Sequence, residues 1–209
     1  MVLEYETPEA KKQKDTEKLA KDVLGNDYVN LKISKFALKE DFEKEKSVIS
    51  CNLFINHTQK SQIKGTGVGP IDALYTAMID KFSGSYASLE DVELVDISIV
   101  VKLKEKIRKS GTDAPVTASL VIKNSEDKML YFSGTSRSIN GAAIEAARHS
   151  IEFFINSELA VLRLYEDIKD AQKRNRPDIA ERNTVILSEL VKTTSYVKSI
   201  NKHKKTLDK

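Results

Sequence analysis

Several ingredients are scarce in this chain, and each scarcity closes a class of function. Cys51 is the one cysteine, so no disulfide framework exists and a secreted, cross-linked fold is excluded; a reducing, cytoplasmic setting is the expectation. His57, His149 and His203 are far apart in sequence, with no His-x-His or Cys-x-x-Cys spacing, and no metal site is expected. No apolar run approaches the roughly 18 to 20 residues of a membrane span, and Met1 to Lys21 is too charged for the core of a signal peptide. Neither charge dominates, since 34 Lys+Arg against 31 Asp+Glu leave +3. Aromatic residues make up 7%, and no basic stripe interleaves with them, which argues against a nucleic-acid binder. Ser and Lys are plentiful, but none stands in a nucleophile elbow or another catalytic setting, so the chain is not expected to be an enzyme on its own, and no cofactor is expected.

What is present is ordinary globular material. The 209 residues, 40% apolar and 31% charged, can bury a real core under a charged surface, as one decorated domain or two small ones. Thr7-Pro8-Glu9-Ala10 reads as an N-cap, a proline at the first helical position and an acidic first turn, and Gly25-Asn26 as a stop. A helix from about 8 to 24 follows, with few apolar positions (Leu19, Ala20, Val23, Leu24), more a docking connector than a core element.

From Val29 the period changes to two. Val29, Leu31 and Ile33 alternate, then Phe36 and Leu38 resume after a slip that a bulge explains. Val48 to Ile55 places Ile49, Cys51, Leu53 and Ile55 on one face, with Cys51 packed in a sheet. Lys60 to Thr66 is a third strand ending at Gly65-Thr66-Gly67, and Pro70 opens a helix whose Ile71, Leu74, Ala77 and Met78 share a side.

The pattern then begins again. Val95, Ile97, Ile99, Val101 and Leu103 alternate, Val116, Ala118, Leu120 and Ile122 do likewise, and Met129 to Ser133 is a strand ending at Gly134-Thr135. A second helix starts near Ile139. Gly65 and Gly134 lie 69 residues apart and Ile71 and Ile139 lie 68 apart, which reads as one residue missing from the second loop. The expected fold is α+β: two pseudo-repeated βββα units, their six strands a sheet layer covered by helices. Ile144, Ala147, Ile151, Phe154, Ile155, Leu159, Leu162, Tyr165 and Ile168 extend the second helix as far as Lys173 to Arg176. Pro177 starts another, with the stripe Ile179, Ile186, Leu187, Leu190, Val197 and Ile200, so a C-terminal helical hairpin is expected. His149 falls on a helix flank, and Lys202 to Lys205 reads as a frayed end. In outline, residues 1–28 are a helical connector, 29–160 hold the two units (about 29–86 and 91–160), and 161–209 are a helical extension.

Gly65-Thr66-Gly67-Val68-Gly69-Pro70 sits where a strand turns into a helix. A dinucleotide fingerprint wants glycine where Pro70 stands, and a Walker loop wants Lys and Ser/Thr after its last glycine. Two readings stay open: a tight structural turn, or an anion site in which N–H groups and the positive helix end hold a carboxylate while Val68 and Ile71 supply apolar contact. The second suits a small apolar amino acid.

Three segments together carry a family likeness: Gly65 to Leu74, Gly111-Thr112-Asp113-Ala114 before an alternating strand, and Gly134-Thr135-Ser136 entering a helix with Ala142, Ala143, Ala146 and Ala147. From about Val29 to Asn156 the chain resembles the C-terminal allosteric (dimerisation) domain of 2-isopropylmalate synthase and its citramalate and homocitrate relatives. The resemblance implies a pseudo-twofold pair of βββα units that forms a homodimer and binds an end-product amino acid, leucine or isoleucine, of branched-chain biosynthesis. It places effector contacts at Gly67, Val68, Gly69, Pro70, Ile71 and Ala73, and at Ser138, Ile139 and Asn140. Ser138 stands where the family usually has an acidic residue, and Val95-Asp96-Ile97 where its fourth strand usually has an aromatic one. The family's barrel, with a divalent metal on a His-x-His pair and an acid, is not expected in the short stretch before Val29.

The resulting expectation is a regulatory domain or subunit that senses leucine or isoleucine and modulates a separate synthase. Two others stand beside it: a non-catalytic subunit required by a split synthase, and a structural dimerisation module that has lost its effector.

Overall fold

The computed structural model describes residues 8–103, 113–191, 196 and 199–201. Pro8 starts α1 (Pro8–Leu24), where a missing N–H costs nothing, and Gly25, with φ +52, turns the chain out of it. Period-two segments become β1 (Leu31–Asp41), β2 (Lys46–Ile55) and β3 (Gln59–Gly67), and Pro70 opens α2 (Pro70–Phe82). The second unit repeats the order with β4 (Glu93–Val101), β5 (Val116–Lys123), β6 (Met129–Ser136) and α3 (Ile139–Lys173), and α4 (Pro177–Leu190) folds back on α3. The N-cap expected of Thr7, the stripe position Val197 and the Lys202 to Lys205 end lie outside the described residues.

The six strands form two antiparallel three-stranded sheets, ordered β1-β2-β3 and β4-β5-β6. The slip expected in β1 is a bulge between Ser34 and Ala37, where Lys35 takes φ +52. A second bulge, which the alternation hides, interrupts β4 between Leu94 and Asp96, so Val95 leaves the stripe.

The helices share one core with both sheets. α2 lies on β3 and β2, and α3 on β6 and β5. Ile49, Cys51, Leu53, Ile63, Leu74 and Met78 of the first unit pack in one cluster with Leu120, Ile122, Phe132, Ile151 and Phe154 of the second. Fully burying each large apolar side chain contributes about 1.5 to 3 kcal/mol. A second core explains the long α3 and corrects the reading of α1 as a mere connector: Ala20 and Leu24 pack with Ala160, Val161, Leu164, Leu190 and Tyr196.

Polar side chains of α3 cover the open edge of β1. The Glu152 carboxylate accepts the N–H of Leu31 at 2.5 Å and pairs with Arg148, which donates to the Leu31 carbonyl. Asn156 both accepts from the Val29 N–H and donates to its carbonyl. These contacts tie the outer strand of the first sheet to the helix of the second unit. Between the units, Glu158 accepts the N–H groups of Ala87 and Ser88 and anchors the linker.

Candidate functional site

The two strand-to-helix junctions are built alike. At Gly65 and again at Gly134 a strand passes so close to a helix that an added Cβ would collide with its backbone, at the carbonyl of Ala73 and of Ala142 respectively. Ala77 and Ala146 lie one turn further along the same contacts. Each pair of equivalents is 69 residues apart, as are the helix starts Pro70 and Ile139 and the ladder pairs Ile49↔Gly65 and Ala118↔Gly134. This constant offset corrects the expectation of a missing residue. Ile71 corresponds to Asn140, and Ile139 to Pro70.

The junctions differ in how they are capped. Gly69 is the N-cap of α2 and offers no side chain, while Asp72 in the first turn folds back to accept the Val68 N–H at 3.0 Å. Gly67 has no room for a side chain, because a Cβ there would meet Asp72 and the Ala73 backbone. On α3 the cap is Ser138, whose hydroxyl accepts the Gly141 N–H at 3.4 Å, and the Ser136 hydroxyl accepts the Ser138 N–H at 3.3 Å. Both first turns still present N–H groups without an intrahelical partner, at the positive end of a helix dipole.

The fold brings the two helix starts together. Ile71 of α2 packs against Val116 and Ala118 of β5 and Ala142 and Ala143 of α3. Their small side chains let the two helices approach, which is a physical use for the alanine run. Arg137 reaches across to the Asp113 carbonyl at 3.1 Å, so the last residues of the Gly111-Thr112-Asp113-Ala114 loop stand beside the α3 start; Gly111 and Thr112 lie outside the described residues.

The expected site residues divide into three groups. Val68 and Ile139 are exposed, at 74% and 51%, and Ser138 is exposed beside them. Gly67, Gly69, Pro70, Ile71 and Asn140 are half-buried around the joined helix starts. Ala73 is fully buried, with its carbonyl under Gly65, so its side chain is part of the packing. Sequence reading missed Asp72, Ser136 and Arg137. Asp72 was open to discovery, as a carboxylate in a first helical turn next to an uncapped glycine.

A further surface bears on assembly. Ile97, Ile99 and Val101 pair with Leu120, Ala118 and Val116, whose side chains face the helices, yet the three stay 38 to 40% exposed because neither helix reaches over β4. With Ile139, Val68 and Leu103 they make up many of the exposed large apolar residues.

Among the described residues, no group of three or more His, Cys, Asp and Glu is placed to hold a metal ion, and no helix is long and apolar enough to cross a membrane. Cys51 is buried, and burial pushes its thiol up to about 11. His149 lies exposed on the flank of α3, its Nδ1 2.8 Å from the Ser133 carbonyl.

The sequence pattern of the LeuA allosteric (dimerisation) domain matches residues 11–155. The match takes in most of α1, both βββα units and the first half of α3. No curated protein matches the chain.

Proposed function

Because the chain belongs to the LeuA allosteric (dimerisation) domain family, we propose that it is a non-catalytic regulatory domain that forms a homodimer, binds leucine or isoleucine and modulates a separate synthase of branched-chain amino-acid biosynthesis. The observation that supports this most is the packing of Ile71 on Ala142 and Ala143, which joins two helix N-termini into one neighbourhood. An amino-acid carboxylate would be held by the first-turn N–H groups there, and the effector side chain would lie among Val68, Ile71 and Ile139. Asp72, exposed and with Oδ2 already on the Val68 N–H, offers its other oxygen to the ammonium, a role that Ser138 cannot fill.

In this reading the second copy covers the exposed stripe Ile97, Ile99 and Val101, and the effector site is completed at the junction. Effector binding then shifts the balance between two dimer arrangements, with coupling of about 1 to 3 kcal/mol typical of such systems. The test is a thermal-shift screen against leucine, isoleucine, valine and lysine, run alongside sedimentation equilibrium. A ligand at 100 times its dissociation constant stabilises by about 2.7 kcal/mol, so a selective upward shift for leucine or isoleucine in a dimer is expected. A dimer that responds to none of them would contradict the sensor reading.

One observation favours a second reading, a structural dimerisation module without an effector. Ser138 spends its hydroxyl on its own helix, as the acceptor for Gly141. That reading expects a stable dimer and no ligand response.

A further inference from the structure

The face of the first sheet that points away from the helices has an unusual charge. Ile49, Cys51 and Leu53 face the core, so the alternate positions of all three strands face outward. Those positions include Lys32 and Lys39 of β1, Lys46 of β2, and Lys60 and Lys64 of β3, all exposed. The ladder sets Lys32, Phe54 and Lys60 in one rung, Ser34, Asn52 and Gln62 in the next, Ala37, Ser50 and Lys64 in the one after, and Lys39, Val48 and Thr66 beyond it, beside Asp41 and Lys46. Same-face neighbours along a strand stand about 6.6 Å apart, so Lys60 and Lys64, two such steps apart, are separated by about 13 Å, and the ammonium groups are spread over the face.

Two features separate this face from ordinary solvated surface. None of the five lysines is ion-paired within the described residues, and the one carboxylate on the face, Asp41, pairs with Lys44 in the adjoining turn. The second unit offers an internal control, because the same fold carries different residues at the matching rungs. Glu93 stands for Lys32, Val100 for Lys39, Met129 for Lys60 and Ser133 for Lys64. There the one rung lysine, Lys123, is neutralised by Glu93 and Asp127. The fold therefore does not require the lysines, and they repel one another at a cost in stability.

We propose that the outer face of the β1-β2-β3 sheet is a docking surface for a carboxylate-rich surface of another protein. Lysines interspersed with Ser50, Asn52 and Gln62 suit point-charge attraction to clustered Asp and Glu, with amide and hydroxyl groups to complete hydrogen bonds. A sheet that reads single-stranded nucleic acid needs successive aromatic platforms, and the rungs supply Phe54, half-buried between two lysines. The surface lies on the sheet side opposite the helices, so a bound partner leaves the α2 and α3 starts open. This inference rests on the reading of the chain as a domain acting on a separate protein, and it names how that protein is held.

The test uses the full chain and a fluorescein-labelled oligoglutamate peptide as the probe, followed by anisotropy at about 50 mM salt, where screening is modest. A Lys32→Gln, Lys60→Gln, Lys64→Gln variant is expected to weaken binding about tenfold. A variant that removes the same charge from the exposed face of α1, at Lys11, Lys14 and Lys18, is expected to bind as the wild type does. Equal loss in both variants, no binding by the wild type, or tighter binding of single-stranded oligouridylate than of the peptide would overturn the proposal. The amino-acid thermal shift of the sheet variant separates the two readings, since it is expected to stay unchanged whatever becomes of peptide binding.

Discussion

The Gln13 carboxamide closes a two-bond ring with the backbone of Tyr131, donating to its carbonyl and accepting from its N–H, each at 2.8 Å. A helix side chain thereby does for the outer edge of β6 what a neighbouring strand would do, and a buried, nearly invisible residue of α1 seals the second sheet.

Replacing Gln13 with Ala removes these two hydrogen bonds to the Tyr131 backbone, at a cost of about 1 to 3 kcal/mol. The expected outcome is a lower urea midpoint, together with faster amide exchange at Tyr131. A stability within about 0.5 kcal/mol of the wild type would show that the ring contributes nothing measurable.

Gly134 and Gly69 separate close approach from chain freedom. A methyl group at Gly134 meets the α3 backbone, whereas one at Gly69 meets nothing within 4 Å. Gly134→Ala is expected to destabilise by about 1 to 3 kcal/mol, and Gly69→Ala to fall within about 0.5 kcal/mol of the wild type. Equal effects at the two sites would contradict the strand-on-helix account. Gly67 belongs with Gly134, so a bulky residue there disturbs the α2 start itself and is unsuited to testing ligand contact in isolation.

Glu152 offers a pH signature. Burial holds its carboxyl above the ordinary value of 4.5, although the Leu31 N–H and Arg148 both pull it down. A carboxyl raised in the folded state contributes stability that is full below the unfolded value and is lost as pH rises through the folded value. The stability of wild type relative to Glu152→Gln is therefore expected to fall as pH rises above the ordinary carboxyl value, as followed by urea midpoints. A relative stability that climbs with pH would mean that the Arg148 pair outweighs burial.

Much of this was open to reading in the chain. The period-two runs mark the strands, Pro8, Pro70 and Pro177 the starts of α1, α2 and α4, and the paired glycines at 65 and 134 the two strand-to-helix junctions, because each has a local cause. Long-range facts were not legible. Nothing local in β4 distinguishes a covered alternation from an exposed one, and the bulge at Val95 hides inside a run of apolar residues. The true offset of the repeat was masked because Ile139 looks like Ile71 but occupies the position of Pro70. Gln13 and Glu152 gave no signal either, since a polar residue buried against a distant backbone reads as a surface residue until its partner is known.

The proposed dimer interface is the apolar stripe of β4. Ile97→Asp with Ile99→Asp places two charges on side chains that are about two-fifths exposed in the isolated chain, so the protomer is expected to keep its fold. The dimer dissociation constant is expected to rise at least about tenfold, equivalent to 1.4 kcal/mol. Sedimentation equilibrium with circular dichroism on the same samples checks both parts. An unchanged dimer would move the interface to another face.

The most direct test of the regulatory reading is calorimetric titration of leucine and isoleucine into the wild-type dimer and into Ile139→Asp. Ile139 is exposed beside the joined helix starts, so the substitution spares the core. The account predicts saturable binding of one of the two amino acids by the wild type and its loss in the variant, with thermal stability unchanged. Absence of binding to both, or equal binding by wild type and variant, would contradict it.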